Sequence, residues 1–150
     1  MPAMRGGVYS CMRAWQRFRG LNAADRGLIV EAAAWLFGVR LGLAALPFLV
    51  LRRTLLHLSD RFARRAVAPQ SAQRVAWAVT SAARHLPLSM TCLIESLAAH
   101  AMLRRRGMAS ELRFGVRRTP PSLAAHAWVE HDGAVVVGRI DDLSEYATLR

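Results

Sequence analysis

The stretch Leu103-Arg104-Arg105-Arg106-Gly107-Met108-Ala109-Ser110-Glu111-Leu112-Arg113-Phe114-Gly115-Val116-Arg117 decides the fold, because the hydrophobic period changes inside it. Up to Gly107 apolar residues recur at helical spacing. The basic run Arg104 to Arg106 suits the negative end of a helix dipole, and Gly107 can stop the helix. Beyond it Leu112, Phe114 and Val116 alternate with Glu111, Arg113 and Arg117, the period-two pattern of a half-buried strand. The chain therefore divides into a helical part, 22–107, and a sheet part, 108–150.

Reading backward, Leu93, Leu97 and Ala101 predict a helix from Cys92 to Arg106, capped by Ser89 or Thr91. Val75, Val79, Ala82 and Leu86 predict another from about Ser71 until Pro87 interrupts it. Phe48, Leu51, Leu55, Leu58 and Phe62 give a third apolar stripe, expected to face inward from a helix with Pro47 in its first turn. Pro69 and Gln70 mark the break after it. Asn22, with Asp25 three residues on, reads as an N-cap with an acid at the dipole's positive end, so a helix should run from near Ala23 to Leu46. Pro47 ends or kinks it. Reading forward, Thr119-Pro120-Pro121 is a loop, and Ala125 to Glu130 and Ala134 to Val137 are strands joined across Asp132-Gly133, a hairpin signal. The expected fold is α+β: about four helices, then a small antiparallel sheet. Residues 1–21 form an irregular segment and 22–150 a single domain.

The composition narrows the function. Of 150 residues 53% are hydrophobic and 21% charged, which excludes a disordered tail. All 21 basic residues are Arg, against 10 acids. With no Lys, Schiff-base chemistry and a P-loop are both excluded. A formal charge of +11 would attract nucleic acid, anionic lipid or an acidic peptide. Two cysteines, Cys11 and Cys92, make no disulfide framework or CxxC pair, and the start lacks the apolar run of a secretory signal. The expected location is cytoplasmic. Between Leu28 and Leu51, Glu31 and Arg40 leave uncharged runs of eight and eleven residues. A spanning helix needs about 20, so no membrane span is expected.

Two residues suggest chemistry. Cys92 lies at a helix start, where unpaired N–H groups and the dipole favour an anionic nucleophile, although a lone cysteine in Met90-Thr91-Cys92-Leu93-Ile94 also reads as a small buried apolar residue. His126, in Ala125-His126-Ala127-Trp128-Val129-Glu130, can accept a thiol proton and return it to a leaving amine, or can be a hydrogen-bonded structural histidine. Cys11 has no cap around it. His126 and His131 are an odd number apart on one strand and face opposite ways, so no metal site is expected.

A cysteine at a helix start, a basic helix end with glycine, a strand holding Gly115-Val116, then Ala-His-Ala-Trp-Val-Glu and a glycine hairpin resemble the transglutaminase-like cysteine proteases that mature lasso peptides, the B-type leader peptidases. Ala24-Asp25-Arg26 before an apolar helix and Leu46-Pro47-Phe48 resemble that family's N-terminal region. The resemblance spans roughly Leu21 to Leu149. It implies a transglutaminase-like, papain-like core and hydrolysis of one peptide bond, which frees the leader from a lasso precursor peptide so that a separate lasso cyclase can close the ring. It carries over Cys92 as nucleophile and His126 as general base and acid, with no cofactor. In the split form of this machinery a small protein holds the leader. The 21 residues before the first helix are too few for that domain, so a separate leader-recognition protein is expected.

The family's third catalytic residue is an aspartate on the strand after the histidine. With His131-Asp132-Gly133 as a three-residue loop, Glu130 pairs with Ala134 and His126 falls opposite Gly138, which has no side chain to orient an imidazole. Asp141 is the nearest acid. On a straight strand it lies about 10 Å further on and on the wrong face, so it can serve only if the chain turns back after Gly138. Otherwise the enzyme is a Cys-His dyad.

Two other readings compete. A basic helical module without catalysis would grip nucleic acid through the Arg clusters at 52–53, 64–65, 104–106 and 117–118, though no recognisable motif organises them. A membrane-surface adaptor would use residues 28–51. The protease reading implies neither partner.

Overall fold

Asn22 begins the helical half as the sequence anticipates: its Oδ1 accepts from the Asp25 backbone N–H at 2.8 Å, and its Nδ2 donates to the Asp25 carboxylate at 3.0 Å. The structure, a computed structural model, describes residues 16, 18–63 and 71–149. Cys11, the arginines at 64–65 and the break at Pro69 and Gln70 lie outside them. The elements are α1 (Ala23–Ala45), α2 (Phe48–Arg61), α3 (Ala72–His85), α4 (Cys92–Arg105), β1 (Glu111–Thr119), β2 (Ser122–His131), β3 (Ala134–Val137), a 3-10 turn at Leu143–Glu145, and β4 (Ala147–Leu149). Among the described residues, the four helices of stated bounds precede one antiparallel sheet of order β3-β2-β1-β4, the expected α+β arrangement. The sequence signalled three of its strands; β4 is short and wholly exposed, so it leaves no alternation to read.

Each helix has a physical start. Ser71 caps α3 by accepting from the Arg74 N–H, and Thr91 caps α4 by accepting from the Ile94 N–H. Pro47 breaks the chain between α1 and α2. α4 is the central helix: it packs on α1, α2, α3 and β2. The single apolar face expected for it is instead burial on nearly every side, by Ile94, Ser96, Leu97, Ala98, Ala99, Ala101, Met102 and Leu103. Small residues let its neighbours approach that closely.

Two expectations are corrected. On α2, Leu51 and Leu55 are buried, but Leu58 is 38% and Phe62 56% exposed, and Ser59 takes the buried place with its hydroxyl donating to the Leu55 carbonyl at 2.7 Å. The buried row continues at spacing four, and the helix ends before Phe62 can join it. The β2–β3 loop has two residues, not three. Asp132 (φ 50°) and Gly133 (φ 76°) both take the left-handed region, the signature of a type I′ hairpin turn, so His131 pairs with Ala134 and Glu130 with Val135. A bulge between Val129 and Glu130 shifts the ladder again, setting Val129 opposite Val137.

α1 is 23 residues long and apolar enough to cross a membrane by length and composition. One face, Leu28, Ala32, Leu36 and Val39, lies in the core, while Val30, Phe37 and Leu41 are exposed. Several arginines are paired with acids. Glu31 on α1 receives Arg105 (3.0 Å) and Arg106 (2.7 Å) from the end of α4, Asp60 receives Arg104 at 2.7 Å, and Asp25 pairs with Arg74.

Candidate active site

Cys92 is the first residue of α4, half-buried and free. The loop before it is tied to α1, where Arg40 Nη1 donates to the Ser89 carbonyl at 2.9 Å. The first-turn N–H groups of a helix lack intrahelical acceptors; the Thr91 hydroxyl takes that of Ile94, which leaves those of Cys92 and Leu93 without an acceptor inside the helix. Glu95, one turn on, is partly buried, and burial pushes its carboxyl above the usual range against the opposing charge of Arg84.

One turn after Cys92, on the same side of α4, the fully buried Ser96 hydroxyl donates to the Ala127 carbonyl at 3.0 Å. Ala127 is the neighbour of His126, so this bond fastens the Cys92 end of the helix to the strand carrying the imidazole. Among the described residues no hydrogen bond joins the thiol of Cys92 to His126.

The imidazole is held on three sides. Its Nε2 lies 2.6 Å from the Gly138 carbonyl oxygen. Because a carbonyl only accepts, the Nε2 carries the proton, and the neutral ring keeps a lone pair on Nδ1. The ring stacks on Trp128, with centroids 6.2 Å apart and planes at 17°, and meets Tyr146 at 5.8 Å. Trp128 is itself anchored by its Nε1, which donates to Glu130 at 2.8 Å. Tyr146 lies under the Arg117 guanidinium, which sits 5.1 Å from the ring centre and pairs with Asp142 and with Glu145 at 2.9 Å. Hydrogen bonding to Glu145 and the nearby Asp142 charge hold the Arg117 pKa above its ordinary value.

Gly115 makes this arrangement possible. A Cβ there would lie 2.8 Å from the Trp128 ring and 2.9 Å from Tyr146 Cβ, so only glycine lets both rings close over β1. The chain turns at Gly138 (φ 83°) and leaves the sheet, crossing to pair β4 with β1. Asp141 lies on that crossing, exposed. The imidazole's hydrogen bond goes to the Gly138 main chain. The sequence reading missed Trp128, Tyr146 and the Gly138 carbonyl; the His-x-Trp spacing on one strand face was the signal available for the first.

A separate open cavity of about 670 Å³ lies at the far end of α4, lined by Asp60, His100, Arg104, Ser110, Glu111 and Glu130 among others. It does not include Cys92 or His126; its nearest lining residue on α4, His100, is eight residues, roughly 12 Å along the helix, from the cysteine. His100 there donates to or accepts from Ser110 Oγ at 2.9 Å.

No curated protein and no solved structure matches the chain. A model of the transglutaminase-like superfamily matches residues 33–150, which hold three and a half of the helices, the whole sheet, Cys92 and His126. The chain belongs to the transglutaminase-like superfamily.

Proposed function

We propose that this chain is a cysteine peptidase that cuts the leader from a lasso-peptide precursor. Membership of the superfamily points to cysteine-peptidase-like activity in general. The finer reading rests on the order of motifs described above. The observation that supports pairing Cys92 with His126 in it is the Ser96–Ala127 bond, which fastens the helix that starts at Cys92 to the strand of His126.

In this reading the thiol of Cys92 gives its proton to Nδ1 of His126, and the sulfur attacks the scissile carbonyl carbon. The developing oxyanion accepts from the free N–H groups at the start of α4. Nδ1 then delivers the proton to the departing amine, the C–N bond breaks, and a thioester to Cys92 remains. Water attacks that thioester with Nδ1 again taking a proton, and the sulfur leaves to recover it. The products are a leader ending in a carboxylate and a core peptide with a free amine, the group a lasso cyclase needs for ring closure. No metal or cofactor enters these steps.

The test is cleavage of a lasso precursor by the purified chain together with a leader-recognition protein. Loss of cleavage in Cys92→Ala supports the reading, and full cleavage by that variant overturns it.

A further inference from the structure

We propose that the main-chain carbonyl of Gly138 is the group that orients His126, standing where a carboxylate would stand in a Cys-His-acid triad. This rests on the reading of Cys92 and His126 as the reacting pair. It removes Asp141 from the site.

Three observations converge. The Nε2–O distance of 2.6 Å is a close hydrogen-bond contact, at the short edge of the usual range for nitrogen and oxygen, and it is partly buried. Its direction is fixed, since the oxygen has no proton to give; the bond selects the Nε2–H tautomer and leaves Nδ1 free to act as base. Sequence position alone would not place this oxygen there. With Val129 opposite Val137, a straight strand would put residue 138 beside Trp128. The left-handed conformation of Gly138 turns the carbonyl toward the imidazole instead.

The same geometry makes residue 138 a glycine. A Cβ would lie 2.6 Å from the Ala127 carbonyl oxygen and 2.9 Å from the Trp128 Cα, both backbone atoms that cannot swing aside, and a φ of 83° strains any L side chain. An aspartate at 138 is therefore incompatible with the backbone that now presents the carbonyl. The two solutions exclude one another: a side-chain carboxylate on an ordinary strand, or a carbonyl on a turned glycine. A neutral acceptor fixes the tautomer as well as a carboxylate does, but adds no full charge opposite an imidazolium. The thiol needs less help than a serine hydroxyl, so that charge matters less here. Gly138 is a positioning residue: it acts on substrate only through His126.

Nitrogen-15 NMR of the full chain labelled at histidine reads the tautomer directly and does not depend on activity. Expected is a protonated Nε2 and a lone-pair Nδ1 for neutral His126, with an Nε2 proton protected from exchange, both unchanged in Asp141→Asn. In cleavage assays Asp141→Asn should keep its rate to within about twofold, whereas Gly138→Ala should lose at least about tenfold in kcat with KM little altered, because a misoriented base affects the chemical step. An Nδ1–H tautomer in the wild-type chain overturns the proposal. So does a tenfold loss in Asp141→Asn, which would return the role to that carboxylate. If Gly138→Ala does not fold, the wild-type and Asp141→Asn spectra decide alone. An Nε2–H tautomer in a chain that cleaves no precursor would leave the orientation standing and remove the peptidase reading.

Discussion

Ser96 and Ala127, 31 positions apart, are joined by a buried hydroxyl-to-carbonyl bond of 3.0 Å that ties the helix of the cysteine to the strand of the histidine. Ser96→Ala leaves the Ala127 oxygen without that donor and should cost about 1–2 kcal/mol of stability. Because the bond lies one turn from Cys92 it should also slow cleavage by about fivefold or more, since small displacements of reacting groups are costly. The control is Glu31→Gln, which weakens the Arg105 and Arg106 contacts at the other end of α4 and should cost a similar ~1–2 kcal/mol. Thermal melts and cleavage rates of the two variants separate the effects. Equal rates in both would show that the Ser96 bond holds the fold without placing the cysteine.

Cys92→Ala should abolish cleavage and leave the melting curve close to wild type, because the residue is half-buried at a helix start capped by Thr91 and loses one sulfur. Cys11→Ala should cleave normally. A cysteine-alkylating reagent should inactivate the wild-type chain and the Cys11→Ala variant alike. Protection of activity by Cys11→Ala would move the nucleophile to the other thiol.

The helical half was the most legible part of the sequence, because its signals are local. Asn22 with Asp25, Ser71 and Thr91 are caps whose hydrogen bonds form within three residues, and the prolines at 47 and 87 punctuate without reference to the rest of the chain. Errors entered where the answer depended on long-range pairing. Leu58 and Phe62 fit the helical period, yet the partner surface that would have covered them runs along Ser59 instead. In the sheet, one residue of loop length and one bulge displaced the register by two positions at Val129, so the expectation that His126 lies opposite Gly138 in the ladder does not hold. The two residues do meet, through a carbonyl that no side-chain pattern encodes. Asp141 is the nearest acid that a side-chain pattern offers, whereas a main-chain acceptor such as the Gly138 carbonyl has no sequence signature.

Gly115→Ala should disturb the imidazole from the far side. The added methyl meets the Trp128 ring at 2.8 Å and Tyr146 Cβ at 2.9 Å, and both rings flank His126. Overpacking of this kind costs about 1–3 kcal/mol. Expected are a lower melting temperature, a shifted tryptophan emission and slower cleavage with little change in KM. Wild-type emission and rate together would mean that the rings give way without moving the histidine.

Leader cleavage should be slow with the chain alone and at least about tenfold faster when a leader-recognition protein is added, because holding the scissile bond near Cys92 makes an intermolecular encounter effectively intramolecular. Rates at several precursor concentrations test this. An equal rate with and without the partner would show that this chain recognises the leader itself.

Acid should destabilise the protein through His100, on α4 at the cavity remote from Cys92. Burial, with Arg104 and Arg52 adding repulsion, lowers the pKa of this imidazole below its ordinary value. In the unfolded chain it titrates near 6.5. As pH falls below about 6.5 the unfolded chain therefore takes a proton that the folded chain still refuses, and folding stability declines until the folded pKa is reached. Asp60 acts in a lower window: hydrogen bonding to Arg104 holds its carboxyl below the usual range, so its loss comes under about pH 4. Glu95 works the other way, since burial raises its pKa and protonation relieves it. Its contribution is the same in wild type and in His100→Gln, so the difference between the two isolates the histidine. Urea melts of both, from about pH 7.5 down to the folded pKa, should show a shallower decline in His100→Gln, with the amide still able to reach the Ser110 hydroxyl that now lies 2.9 Å from Nδ1. Parallel curves over that range would mean that His100 titrates equally in the folded and unfolded chain, and the acid sensitivity would then belong to other groups.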